Sequence, residues 1–91
     1  MNAFNFEQLK ASDRAQKLSS TKYGSAERAF ITLELSEIRY RYDGGEPTAT
    51  EGHLLHEGGF LVLNGIQQIE SFKFIKSNET EAILSISYER E

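Results

Sequence analysis

Residues 29–43 read AFITLELSEIRYRYD, and their alternation decides the fold class. Ala29, Ile31, Leu33 and Leu35 fall on one side of a two-residue period; Phe30, Thr32 and Glu34 fall on the other. Beyond Ser36, Ile38, Tyr40 and Tyr42 alternate with Glu37, Arg39, Arg41 and Asp43. Successive side chains of a strand point to opposite faces, so each run predicts a strand with one apolar face. The C-terminal stretch EAILSISY (81–88) repeats the pattern, with Ala82, Leu84, Ile86 and Tyr88 opposite Glu81, Ile83, Ser85 and Ser87. Between them, FLVL (60–63) is apolar on both sides, which predicts a central strand or one covered on both faces. ESFKFI (70–75) sets Phe72 and Phe74 against Lys73. In the N-terminal third, FNFEQL and AQKLSS are strand-like and KASDR between them is a turn; a short amphipathic helix over 6–11 competes with the first strand.

Turn signals separate these runs at Gly24-Ser25, Asp43-Gly44-Gly45 with Pro47, Gly58-Gly59, Asn64-Gly65 and Ser77-Asn78. Short alternating strands at such spacing, with no long helix, predict an all-β, antiparallel, jelly-roll-like β-sandwich of about seven or eight strands. No linker or repeat divides the chain, so 1–91 is expected to be a single domain, with 1–13 an N-terminal arm or edge strand. The expected core is Ile31, Leu33, Ile38, Tyr40, Leu61, Leu63, Phe72, Phe74, Leu84 and Ile86. Phe30, Val62 and Ile83 are expected to point outward, which favours a homo-oligomer that covers them. The competing expectation is that the segment around Phe4 and Phe6 caps them within one chain.

Composition narrows the function classes. The chain's 91 residues predict roughly 5,400 Å² of exposed surface when folded, against roughly 14,900 Å² extended, enough burial for one modest core. Ten basic residues face fourteen acidic ones, for a net charge of −4, so the basic footprint that nucleic acid requires is missing. With no cysteine, disulfides, thiolate metal sites and cysteine nucleophiles are excluded. The longest apolar run, Phe60 to Leu63, is too short to cross a membrane as a helix. Charge is uneven: residues 1–45 carry seven basic and six acidic side chains, and residues 46–91 carry three and eight. Interleaving of strands from the two halves is expected to erase that asymmetry.

The sharpest polar cluster is EGHLLHEGG (51–59), where His53 and His56 lie near Glu51, Glu57 and Asp43. Two imidazoles three residues apart share a face on a helix, but a two-residue period sends them to opposite faces, so no metal site is expected. No GxSxG elbow, phosphate-binding glycine loop or converging acid pair is present, so no catalytic residue and no cofactor are expected. Arg39 and Arg41 flank Tyr40, yet the arginines and tyrosines fall on opposite faces. The stretch DGGEPTATEGH (43–53) has a structural task. Asp43 caps backbone N–H groups, Pro47 stiffens the connection, the threonines offer local hydroxyl bonds, and Gly52 permits a tight return.

The same region resembles a group of small proteins from the structural modules of tailed bacteriophages and prophages. The matching positions are Ile31–Leu35, Ile38-Arg39-Tyr40-Arg41, Asp43-Gly44, Pro47-Thr48-Ala49-Thr50, Gly52, Leu55, Gly58, Phe72, Phe74, Ile75 and Ala82 to Tyr88, with AQKLSSTKYGSAERA upstream. Glu34-Leu35-Ser36 departs from the pattern, because a glycine-containing turn is commoner there. The resemblance implies a virion structural or accessory protein, in the neck, tail or capsid, located in the host cytoplasm before assembly. Its expected partners are itself and other virion proteins. The alternative is a ligand-binding sandwich that recognises a carbohydrate or host-surface group through Tyr40, Tyr42 or the loop 44–58.

Overall fold

The 29–43 stretch does form two strands, but the chain turns sharply between them and the two join different sheets. The computed structural model describes residues 1–91. In chain order the elements are β1 (Asn2–Ala11), β2 (Gln16–Lys17), α1 (Ser20–Tyr23), β3 (Arg28–Glu34) and β4 (Ile38–Arg41). Then follow β5 (His53–Leu55), β6 (Phe60–Asn64), α2 (Ile66–Ser71), β7 (Lys73–Lys76) and β8 (Ala82–Arg90). Sheet I has the strand order β1-β8-β3-β6 and sheet II the order β2-β7-β4-β5, with all pairs antiparallel.

The hairpin-like pairs nest: β4 with β5, β3 with β6, β2 with β7, β1 with β8. The chain is one long hairpin doubled back at residues 42–52 and rolled into two layers, which is the jelly-roll arrangement of eight strands. In each sheet, strands from the two chain halves alternate, so the basic and acidic halves are interleaved as expected.

The core lies between the sheets. Ala29, Ile31 and Leu33 of β3 meet Leu84, Ile86 and Tyr88 of β8 and Leu63 of β6 from one side. Ile38 and Phe74 close it from the other, with Phe72 and Ile69 of the α2 connection. Of the ten expected core residues eight are buried; Tyr40 and Leu61 are half-buried and packed against the cluster. The exposed surface is 5260 Å², close to the scaling expectation.

Several local expectations change. FLVL is neither central nor doubly covered: β6 is an edge strand whose Phe60 and Val62 face solvent. Residues 6–11 are strand, not helix, because β8 offers β1 a full-length antiparallel partner. AQKLSS yields only the two-residue β2 before α1 begins. The run 70–75 starts in α2, so Phe72 caps a short helix, and the strand covers only Lys73–Lys76. Leu35 leaves the strand face at φ 78 and is exposed, because β3 ends at Glu34 and the chain must turn there into sheet II.

A buried polar contact fastens β1 from within. Glu7 is the inward-facing acid of β1, and it accepts hydrogen bonds from the Tyr88 hydroxyl, the Ser19 hydroxyl (2.7 Å) and the Ser19 N–H (3.2 Å). Three donors satisfy a carboxylate that would otherwise be costly to bury. Burial first, and the neighbouring Glu7 carboxylate second, push the Tyr88 hydroxyl far above the usual phenol range.

Candidate functional site

Three surfaces follow from this fold: the outer face of sheet II, the free end of β4 and β5, and the outer face of sheet I.

The outer face of sheet II is covered by the chain itself. Residues 42–52 fold back over it, and the charged outward residues of β4 and β7 pin them down. Arg39 donates to the Gly52 carbonyl (3.1 Å) and Lys73 to the Gly44 carbonyl (3.2 Å). Pro47 is buried there, and Ile75, an outward residue of β7, keeps only 8% of its surface. Within the loop Thr48 and Glu51 exchange backbone hydrogen bonds, and the Thr48 hydroxyl accepts from the N–H groups of Thr50 and Glu51. Gly52 sits at φ 128, where a Cβ would lie 3.0 Å from the Tyr40 carbonyl oxygen and 3.2 Å from Pro47, so the return needs glycine. Asp43 accepts from the Gly45 N–H (3.1 Å) and is held by Arg41 through Nε (3.0 Å) and Nη2 (2.6 Å). The Arg41 hydrogen bonds, followed by the Gly45 N–H, lower the Asp43 carboxyl to about 2. The structural reading of DGGEPTATEGH therefore accounts for each of its marked residues.

At the free end of β4 and β5 the rings form a cluster. Tyr40 lies 5.4 Å from His53 and 6.5 Å from Tyr42, and Tyr42 lies 6.0 Å from His53 (ring centroids). Tyr40 also packs on Phe72 at 5.6 Å, and Phe72 on Phe74 at 5.8 Å. This row of rings fills the space between the sheets from the end inward. What remains outside is an open cleft of about 290 Å³ lined by Arg41, Tyr42, Asp43 and His53. Such a cleft offers an aromatic platform beside an Arg-carboxylate pair, chemistry suited to a hydroxyl-rich ligand. Partial burial, then the neighbouring Tyr42, raises the Tyr40 hydroxyl above its usual value.

The two histidines serve different neighbours. His53 joins the ring cluster, while His56 follows β5 and its Nδ1 lies 3.2 Å from Glu37. The divergence arises because β5 ends at Leu55 and His56 already belongs to the turn that follows. The short β5 between the glycines escaped sequence reading because three residues carry too little period to register.

The outer face of sheet I is bare. The register sets Phe6 of β1, Ser87 of β8, Phe30 of β3 and Val62 of β6 in one row across the sheet. The next row holds Gln8, Ser85, Thr32 and Phe60. Phe6 is 52% exposed, Phe30 38%, Phe60 64% and Val62 37%. The Phe30 and Phe60 rings lie 5.9 Å apart. Phe30, Val62 and Ile83 point outward as expected. The N-terminal segment does not cap them: Phe4 packs against the core under Arg90, and Phe6 joins the exposed row. Phe6 and Phe60 enlarge the patch beyond its sequence-predicted members. The parity of FNFEQL contained the signal for Phe6 once β1 was known to be a strand.

No family model matches the chain, and no curated protein matches it. Among solved structures, the chain is similar to the crystal structure of protein NMB1881 from Neisseria meningitidis, with a TM-score of 0.53 at 14% identity, over 98% of this chain and 80% of that one. A de novo designed double-stranded β-helix solved by NMR aligns with a TM-score of 0.46 at 12% identity, over 97% of this chain and 94% of that one. The first likeness concerns the fold alone and agrees with a small all-β sandwich.

Proposed function

We propose that this chain is a structural or accessory component of a phage or prophage virion, in the neck, tail or capsid, and that it acts through protein–protein assembly rather than catalysis. The observation that carries the reading is the bare aromatic face of sheet I, on which Phe6, Phe30, Phe60 and Val62 stand exposed across the four strands. Scattered single apolar residues are ordinary on a protein surface, whereas a contiguous patch marks a site of contact. The resemblance of residues 15–88 to phage structural-module proteins supplies the context. Jelly rolls recur among capsid domains, which supports the reading by analogy of fold. Mass spectrometry of purified particles from the encoding phage or induced prophage tests it. The protein is expected in stoichiometric amounts in the particle; its absence from complete, infectious particles overturns the reading.

A second reading rests on a different observation, the Tyr42 and His53 platform beside the Arg41–Asp43 pair. That cleft would hold a carbohydrate or another hydroxyl-rich host-surface group. Binding to a glycan array, lost in Tyr42→Ala, supports it; a blank array at millimolar protein rejects it.

A further inference from the structure

We infer that the partner of the sheet I face is a second copy of the same face, the two sheets packing across a twofold axis that runs along the strands between β8 and β3. This rests on the assembly reading and names the first contact within it.

The register provides the self-complementarity. A twofold placed there sets β8 of one copy over β3 of the other, and β1 over β6. Phe30 of each copy then meets Ser87 of its partner, because the two residues stand opposite each other in the β3–β8 ladder. In the same row, Phe6 meets Val62. The serines at 85 and 87 leave β8 low between two aromatic ridges, Phe6 on one side and Phe30 with Phe60 on the other. The trough on β8 receives Phe30 of the rotated copy and each Phe6 lies against the partner's Val62, so the same residues meet twice, as an isologous contact requires.

Size and charge agree. The face consists of four strands of five to ten residues, which at about 3.3 Å per residue and about 4.8 Å between strands cover about 500 Å², so a pair would bury about 1,000 Å², the size at which a specific, reversible interface begins. The apolar rows lie centrally. Charges of both signs flank them along the strands: Arg28 with Glu89 at one end, Lys10 with Glu81 and Glu34 at the other. An apolar centre with a mixed-sign rim is the anatomy of an interface, and neither end carries a single sign that would repel a copy. The outer face of sheet II offers no equivalent, because the 42–52 loop already occupies it.

Sedimentation equilibrium and light scattering across micromolar to millimolar concentrations test the inference. A reversible dimer of twice 10.3 kDa is expected. Phe30→Ser, at the centre, is expected to weaken it roughly tenfold or more, and Phe60→Ser, on the edge strand β6, to weaken it by a smaller factor. Leu54→Ser, an exposed apolar change on sheet II, should leave it intact. The chain has no cysteine, so Ser85→Cys with a short bismaleimide linker reports the geometry directly. Ser85→Cys is expected to cross-link in pairs, while Thr50→Cys on the opposite side is not. A strict monomer at millimolar concentration overturns the inference, as does a dimer that survives both phenylalanine changes, or one that links through Thr50→Cys and not Ser85→Cys. The assembly reading is judged separately by the particle composition, so a monomeric protein found in virions would remove the self-contact alone.

Discussion

The outer faces of the two sheets were solved in opposite ways by one chain. On sheet II, two basic residues facing outward hold loop carbonyls, and the loop buries Pro47 and Ile75. On sheet I, three phenylalanines and a valine face outward with nothing from the chain above them. Polar outward residues would suffice to leave a sheet face solvated, since an antiparallel sheet needs only one apolar face. An aromatic outward face that the chain does not cover is what the proposed assembly would explain, while the chain's longest loop lies on the other side.

The largest expected effects separate covered from bare positions. Phe74 and Ile75 are neighbours in β7, facing the core and the loop respectively, and both are buried. Phe74→Ala should cost about 3–5 kcal/mol, and Ile75→Ala about 2–4 kcal/mol, because each leaves a cavity beneath fixed neighbours. Phe60→Ala, at 64% exposure, should stay within about 0.5 kcal/mol of the parent. Urea denaturation at low protein concentration measures all three. An Ile75→Ala variant as stable as the parent would mean that the loop merely lies on sheet II and does not pack there.

Behind the bare face, the Glu7–Tyr88–Ser19 contact ties the edge strand β1 to β8. Tyr88→Phe removes one of three donors to a buried carboxylate and should cost about 1–3 kcal/mol. The same group sets an alkaline limit. Its hydroxyl is raised in the folded state above the ordinary phenol value of about 10, so the folded protein disfavours the phenolate. The stability it contributes is therefore complete below pH ~10 and declines as pH rises beyond that, where the unfolded chain ionises first. Melting temperatures from pH 8 to 12 should fall less steeply in Tyr88→Phe than in the parent. Equal slopes would mean that Tyr88 is not the group responsible.

Legibility in the sequence followed the length of the period. β3 and β8 carry seven and nine residues of alternation and were plain. β5 and β2, at three and two residues, exist only because β4 and β7 offer them partners, a tertiary cause that composition does not display. α2 left no helical period in the sequence because IQQIES is short and has a single buried residue, Ile69. FLVL reads as central because apolarity on both sides is the mark of burial on both faces, whereas here one apolar side stays exposed on an edge strand. For the same reason the outward set was read as Phe30, Val62 and Ile83, while Phe6 and Phe60 needed the register. Glu7 gave no signal, since an acid in an alternating strand is normally the solvated side. The DGGEPTATEGH loop was readable in role, residue by residue, because Asp, Pro, Thr and Gly act locally; that it lies across sheet II was not.

The smallest effect lies at the corner that carries the chain from one sheet to the other. Leu35 adopts φ 78, a left-handed conformation in which an L side chain crowds the following carbonyl at a cost of roughly 1–2 kcal/mol. The side chain gains little in return, being 54% exposed. Its neighbours are fixed: Ser36 is buried and its hydroxyl donates to Asn78 Oδ1 at 3.0 Å, while Leu33 exchanges backbone bonds with Gly58 and Gly59. The turn therefore cannot relax to suit Leu35. Leu35→Gly removes the strain but adds freedom to the unfolded chain worth roughly 0.5–1 kcal/mol, so the net gain should be up to ~1 kcal/mol. Leu35→Ala keeps the strained backbone and should gain nothing. If glycine destabilises relative to alanine at this site, the left-handed turn is not what joins the covered sheet to the bare one.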